Sequence, residues 1–427
     1  MIAHILSTGD EVLLGDIVDT NSAFLCSSLK DMGVEVQKIT AVRDDVELIC
    51  SNICEISLNA DICLVTGGLG PTQDDVTALA CSRAAGHALG INQKALESMK
   101  AYFAKRGFAL TKDNEKQAMM PAGSQMIVNQ NGTAPGFYLK IKNCLFFFMP
   151  GVPSEMRIMF EKQIKQILVR QFKLNDELLI ERLTVFGLPE SRVGALLKEF
   201  EKKFARMRMG FRANFPVIEV KIICADSEKD NKKARSDIEK ARPDIKKAKQ
   251  WTIEQLENKV VSKKGLSIAQ EIGHLLTKEK KTLAIAESCT GGLISNMVTD
   301  VAGSSDYFLF SGITYSNDAK MNILNVKRET IVEWGAVHEK TALEMAQGAR
   351  LKGCADFAVS TTGIAGPGGG TKEKPVGMVC IGLAGPGVSM AKTYNFSFGD
   401  RGRNKKIFAM MALELLRRHL VSSFETT

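Results

Sequence analysis

The sequence predicts an α/β fold in three parts: a doubly wound N-terminal domain, a small α+β module, and a second α/β unit at the C-terminus. Three observations lead there. Short apolar runs alternate with helical periodicity over the first 170 or so residues. The apolar run Asp61 to Val65 ends directly in glycines, as a buried parallel strand does at a ligand-binding edge. The same alternation starts again near Ser267 and continues to Leu420.

Taken in order, Ile2 to Ser7 reads as the first strand, Asn21 to Met32 and Val46 to Leu58 as helices, and Asp61 to Val65 as a buried strand. Helices follow at Gln93 to Lys105 and Pro153 to Gln171, with the buried strand Cys144 to Met149 between them. The pattern then changes. Leu178 to Phe186 reads as a strand, Ser191 to Phe204 as one helix, and Val217 to Ala225 as a strand of period two. Lys229 to Lys249 is rich in lysine and poor in large apolar residues, so it reads as a solvated helix or linker rather than a nucleic-acid patch. The C-terminal unit opens with a helix, the strand Thr282 to Ala286, a glycine turn, and a helix over Leu293 to Val301. The expected boundaries are 1–172, 176–255 and 263–422.

With 427 residues the chain exceeds one ordinary core. Apolar and charged fractions of 45% and 24% belong to the globular class, and no apolar run approaches the roughly 20 residues that span a bilayer. The first residues carry no secretory pattern, so a cytoplasmic location is the expectation. The 10 cysteines are scattered through apolar stretches, which argues against a disulfide framework or a zinc site. A formal charge of +8 suits anionic ligands such as nucleotides without establishing nucleic-acid binding.

In the C-terminal unit, Glu287-Ser288-Cys289-Thr290-Gly291-Gly292 lies where a strand turns into a helix. Free N–H groups at a helix start can hold an oxyanion there. Read singly, Ser288 and Thr290 are ordinary helix caps. His338 and His419 are the only histidines downstream of Ser288, and neither lies in a glycine-rich or hydroxyl-rich setting, so a Ser-His-Asp triad has little support. Lys320, in Thr314-Tyr315-Ser316-Asn317-Asp318-Ala319-Lys320, follows an apolar run and could accept a serine proton if desolvated. The loop Ser360 to Gly370 brings hydroxyls and flexible backbone, and Arg401 and Arg403 open the last helix, suited to a phosphate or to solvent.

Together these segments resemble the C-terminal domain of the CinA family, the nicotinamide-nucleotide amidases. The motifs are A-E-S-C-T-G-G (Ala286 to Gly292), T-Y-S-N-x-x-K (Thr314 to Lys320), T-T-G-I-A-G-P-G-G (Thr361 to Gly369), K-P-V-G (Lys374 to Gly377) and G-D-R, with Asp400 and Arg401. The resemblance implies Ser288 as acylated nucleophile, Lys320 as its base and Tyr315 as a positioning residue. It assigns substrate contacts to Cys289, Thr290, Gly291, Asn317, Thr362, Gly363 and Arg401. The implied reaction converts nicotinamide mononucleotide to nicotinic acid mononucleotide and ammonia, with no cofactor.

In the N-terminal domain, Thr66-Gly67-Gly68-Leu69-Gly70-Pro71-Thr72-Gln73-Asp74-Asp75 follows a buried strand, and Gly9, Asp10 and Glu11 follow another. Glycines let the backbone approach a pyrophosphate, while Asp75 first and Asp74 second are candidate ligands of a divalent ion. The plain alternative is a tight turn with a helix cap. Thr133 and Gly151 lie in two further turns, Asn131 to Gly136 and Met149 to Met156. The order of these motifs resembles the N-terminal CinA domain, which is similar to the molybdopterin-binding MoaB/MogA fold. The resemblance implies nucleotide binding and, in some members, ADP-ribose pyrophosphatase activity dependent on magnesium or cobalt. The middle module resembles a small KH-like domain, with a spacer or dimer-bridging role, and the family analogy implies a homodimer. Two alternatives stand beside this: an amidase whose N-terminal domain binds nucleotide without hydrolysing it, and a non-catalytic accessory protein of competence or DNA repair.

Overall fold

The computed structural model describes residues 1–172, 179–224, 234–396 and 398–424. Leu178, Ala225 and the start of the lysine-rich stretch, all part of the expected elements, lie outside the described residues. The chain forms two compact units, Met1–Ile180 with Asp226–Lys240, and Glu181–Ala225 with Ala241–Thr427. No described helix is long and apolar enough to cross a membrane.

The first unit has strands β1 (Ile2–Thr8), β2 (Glu35–Val42), β3 (Ile62–Thr66), β4 (Leu89–Ile91), β5 (Met119–Pro121), β6 (Gln125–Ile127), β7 (Gly136–Ile141) and β8 (Cys144–Met149). Its six-stranded sheet runs β2-β1-β3-β8-β7-β6, while β4 and β5 form a separate ribbon. The first four strands of that order are parallel, as the buried runs predicted. At one edge of this doubly wound sheet β7 and β6 add antiparallel strands. The turn Lys142-Asn143, with Lys142 at φ 51°, folds β7 straight back from β8. Every residue of β3 and β8 is buried, because helices cover both faces of the sheet. Helices Thr20–Asp31, Val46–Asn59 and Gln93–Lys105 agree with the periodicity, and Asp19, Asp45 and Asn92 cap them. A helix at Thr77–Ala85 was not expected.

The second unit has β9 (Ile180–Phe186), β10 (Met207–Asn214), β11 (Val217–Cys224), β12 (Val260–Ser262), β13 (Leu283–Glu287), β14 (Phe308–Ile313), β15 (Phe357–Gly363), β16 (Met378–Gly385) and β17 (Val388–Asn395). They build a four-stranded sheet of order β10-β11-β9-β12 and a five-stranded sheet of order β14-β13-β15-β16-β17. The single helix expected over Ser191 to Phe204 is two, Glu190–Leu196 and Phe200–Lys203. The backbone leaves helical geometry at Leu197, and Phe200 turns onto Trp251 with ring centroids 6.0 Å apart. The two sheets share a core: Phe186 and Val261 are buried with Ile272, Leu283 and Phe408.

One side chain fixes the turn after β13. Glu287 is fully buried, and its Oε2 accepts from the N–H groups of Gly292 (2.9 Å) and Ile294 (3.2 Å). Its Oε1 accepts from Ser295 N (2.8 Å) and Ser295 Oγ (2.6 Å). The strand thus ends in the cap of the helix Leu293–Thr299, whose first N–H groups otherwise lack partners. Gly291 at φ 61° and Gly292 at φ 91° carry the turn between them, in a conformation that side chains rarely adopt. We expect Glu287→Ala to lower unfolding free energy by about 2–4 kcal/mol, since it strands several donors in the interior. Glu287→Gln, which keeps one acceptor oxygen, should lose less. Urea unfolding of both variants checks this, and equal losses would count against the cap.

Candidate functional site

The parallel strands β13, β14 and β15 end on the same side of their sheet, so the segments that follow them converge. Ser288 follows β13; Tyr315 and the helix Asn317–Leu324, which carries Lys320, follow β14; and Thr362 and Gly363 close β15. Ser288 N–H donates to Thr361 O at 3.0 Å, so the residue hangs on the neighbouring strand. Lys320 is 1% exposed, and its Nζ stands 3.0 Å from Ser288 Oγ. The same nitrogen donates to the carbonyls of Thr314 (2.9 Å) and Tyr315 (3.2 Å). Burial pushes its pKa below the ordinary 10.5, with Cys289 acting in the opposite sense.

A cavity of about 200 Å³ opens on this pair, lined also by Cys289, Tyr315, Thr362, Gly363 and Arg401. Arg401 donates to Gly366 O (2.6 Å) and to the Tyr315 hydroxyl (3.2 Å). Those two residues therefore form one edge of the cavity. The Thr362 hydroxyl is spent on Ala336 O at 2.8 Å, which leaves its backbone and methyl for contact. Thr290, Gly291 and Asn317 do not line the cavity. Thr290 is fully buried with its hydroxyl 2.7 Å from Thr361 Oγ1, and Asn317 opens a helix capped by Ser316. Ala365, from the Thr361 to Gly369 motif, also lines it, and Ala336 and Val337 complete the lining without any signal in the motifs singled out from the sequence.

The neighbouring groups narrow the chemistry. Cys289 lies in the cavity wall, but burial pushes its thiol up to about 12, and the group 3.0 Å from the Lys320 amine is the Ser288 hydroxyl. His338 stacks on Trp334 with centroids 4.5 Å apart and caps a helix, while His419 packs on Phe357; neither lines the cavity. A lysine is the nearby proton acceptor. The Cys289 N–H is taken by no backbone carbonyl among the described residues, and Cys289 lines the cavity.

In the first unit, the loops after β1 and β3 meet on one rim around a cavity of about 390 Å³. It is lined by Gly9, Glu11, Gly67, Gly68 and Gly70, by Asp74 and Asp75, and by Thr133 and Gly151, but not by Asp10 or Thr72. A Cβ on Gly67 would stand 2.1 Å from Thr8 O, and one on Gly68 would stand 2.0 Å from Thr77 Oγ1. Those glycines are needed for loop packing whether or not a ligand approaches. Asp75 Oδ2 accepts from Thr72 N (2.8 Å) and Thr72 Oγ1 (2.5 Å), so its carboxylate is committed to the turn.

Asp44, which sequence reasoning missed, enters the same cavity. Burial raises its carboxyl to about 6; the Asp10 N–H opposes this, and Glu11, Asp10 and Asp74 add to it. Its Oδ1 has no hydrogen-bond partner among the described residues. These are hard oxygen donors, yet no three metal-capable side chains among the described residues gather as a ready cage. They fit the mode in which magnesium rests on one or two carboxylates and completes its shell with water and substrate phosphates.

Comparison with known proteins agrees with both halves. Residues 266–420 match the family described as CinA C-terminal domain, and residues 4–170 match that described as Probable molybdopterin binding domain. A CinA-like protein of Desulforapulum autotrophicum is 47% identical over 426 residues, covering 99% of each chain. One from Desulfosudis oleivorans is 47% identical over 422 residues, covering 99% of this chain and 100% of its own. The crystal structure of the protein CinA with unknown function from Thermoplasma acidophilum is 34% identical, covers 39% of this chain and 97% of its own, and gives a TM-score of 0.37. With likeness of that level along nearly its whole length, the chain belongs to the family of CinA-like proteins.

Proposed function

We propose that the cavity around Ser288 hydrolyses the carboxamide of nicotinamide mononucleotide. The observation that carries this reading is the buried amine of Lys320, 3.0 Å from Ser288 Oγ, at the turn that ends β13. As a neutral amine, Lys320 donates its two N–H bonds to the Thr314 and Tyr315 carbonyls and turns its lone pair to the serine O–H. Oγ attacks the carboxamide carbon while Nζ takes its proton, and the carbonyl electrons move to oxygen, which the Cys289 N–H would face. Lys320 then protonates the leaving nitrogen, the C–N bond breaks, and ammonia departs from an acyl-Ser288 ester. A water that gives its proton to Lys320 attacks that ester and releases the carboxylate and the serine.

The cavity of about 200 Å³ is smaller than the usual drug-sized pocket, so it suits a pyridine ring and its carboxamide, with the rest of a nucleotide outside. Arg401 and Tyr315 at its edge are the groups that a phosphate would meet. The substrate itself follows from the motifs shared with nicotinamide-nucleotide amidases. Ammonia release from the mononucleotide should be abolished in Ser288→Ala and in Lys320→Ala and should be unaffected by EDTA. Retention of turnover in either variant would sink the mechanism. Because Lys320 works as a neutral base, kcat/KM should rise with pH and level off above its depressed pKa, and Lys320→Arg, charged throughout, should be inactive.

For the N-terminal cavity we propose nucleotide-pyrophosphate binding with ADP-ribose hydrolysis. Asp44 and Asp74 would hold a magnesium or cobalt ion together with the ligand's phosphates. That ion would neutralise phosphate charge and activate water. The full chain should turn over ADP-ribose only with the divalent ion, and Asp44→Asn should slow it at least about tenfold. Calorimetric binding of ADP-ribose without turnover would favour the non-hydrolytic alternative.

A further inference from the structure

The middle module reaches the amidase half at a specific point. The turn between β10 and β11 carries Phe215, whose ring centroid lies 4.5 Å from the guanidinium carbon of Arg403. Phe398, on the segment after β17, lies 5.1 Å from the same carbon, and the two rings meet edge-on with centroids 5.1 Å apart. The guanidinium is thus held between two aromatic rings, and no ion pair holds it among the described residues. A cavity of about 520 Å³ lies beside this cluster, lined by Phe215, Phe398 and Arg403 among others.

Arg403 sits in the first turn of the helix Arg401–Phe424, two residues after Arg401. Gly399, at φ 67°, precedes that turn and Gly402 lies within it, and Asp400 caps it by accepting from the Arg403 N–H at 2.6 Å. Beyond that cap, three side chains tether it to other segments: Arg401 on Gly366 O and the Tyr315 hydroxyl, Asn404 on Ala365 O at 3.0 Å, and Arg403 on the two rings. The first two lead back to the loop that edges the amidase cavity. Only the third leads to the middle module.

We propose that Phe215, through Arg403, is a positioning element for the amidase cavity. It fixes the first turn of the last helix so that Arg401 stays at the cavity edge for the substrate's phosphate. This rests on the amidase reading given above. Ser288 and Lys320 are set by β13 and by the helix after β14, so loosening the last helix should weaken substrate capture while leaving the chemical step intact.

The test uses the full-length protein. Phe215→Ala should raise KM for nicotinamide mononucleotide about tenfold while kcat stays within about twofold. Arg403→Lys, which keeps the charge but loses the planar face, should do the same. Phe215→Tyr, which restores a ring, should return KM to the wild-type value. Unchanged KM in both impaired variants, or a fall in kcat at constant KM, would overturn the proposal. If wild type releases no ammonia, the amidase reading fails by itself, and hydrogen exchange judges the clamp separately. Amides of residues 403–407 should exchange faster in Phe215→Ala at an unchanged melting temperature, and identical exchange would overturn it.

Discussion

Burying the amine of Lys320 is the constraint around which the C-terminal site is arranged. An ammonium group removed from water is costly unless polar partners surround it, and here two carbonyls and one hydroxyl are all that face it. Burial favours the uncharged form, and the carbonyls then orient what remains of its hydrogen-bonding capacity. Ser288 is held to the same precision by the strand beside it. Glu287, on the preceding residue, anchors the following helix so that the intervening turn has little freedom. A single pair of adjacent residues therefore ends a strand, starts a helix and presents the Ser288 hydroxyl to the Lys320 amine.

The N-terminal cavity is built by a different economy. Its loops are brought together by close backbone approach at Gly67 and Gly68, where Thr8 and Thr77 leave no room for a side chain. Thr8 Oγ1 lies 3.1 Å from Thr77 Oγ1, which ties the loop after β1 to the start of the helix after β3. Lys116 further bridges to the backbone of Thr72 and Gln73. The rim is thereby shaped in advance, with glycines serving packing and access at once.

Fold class and the buried strands are legible because strands covered on both faces read as continuous apolar runs. Ile62–Thr66, Cys144–Met149 and Leu283–Glu287 lie within a residue or two of the expected limits. The antiparallel additions β6 and β10 are less legible, since short or half-exposed strands mix polar and apolar residues without a clear period. In the C-terminal site, Ser288, Lys320, Tyr315, Thr362 and Arg401 converge from four separated motifs. The capping role of Glu287 is hidden, because nothing local says where a carboxylate after an apolar strand will point. Asp44 is hidden for another reason: it follows a strand that alternates too weakly to be noticed, and it reaches the rim only once β2 pairs with β1. Asn317 and Thr290 belong to the motifs without lining the cavity, since a motif can be contiguous while helix capping and strand packing absorb some of its members.

The common interior of the middle module and the C-terminal α/β part has an energetic consequence. Phe186 and Val261 lie in one cluster with Leu283, on the strand that leads to Ser288, so the two parts cannot lose their order independently at low cost. A molecule that binds the native cavity draws the folding equilibrium of the entire second unit toward the native state by mass action. Occupancy in one half is therefore felt as added resistance to melting and proteolysis in the other, without any movement of the backbone.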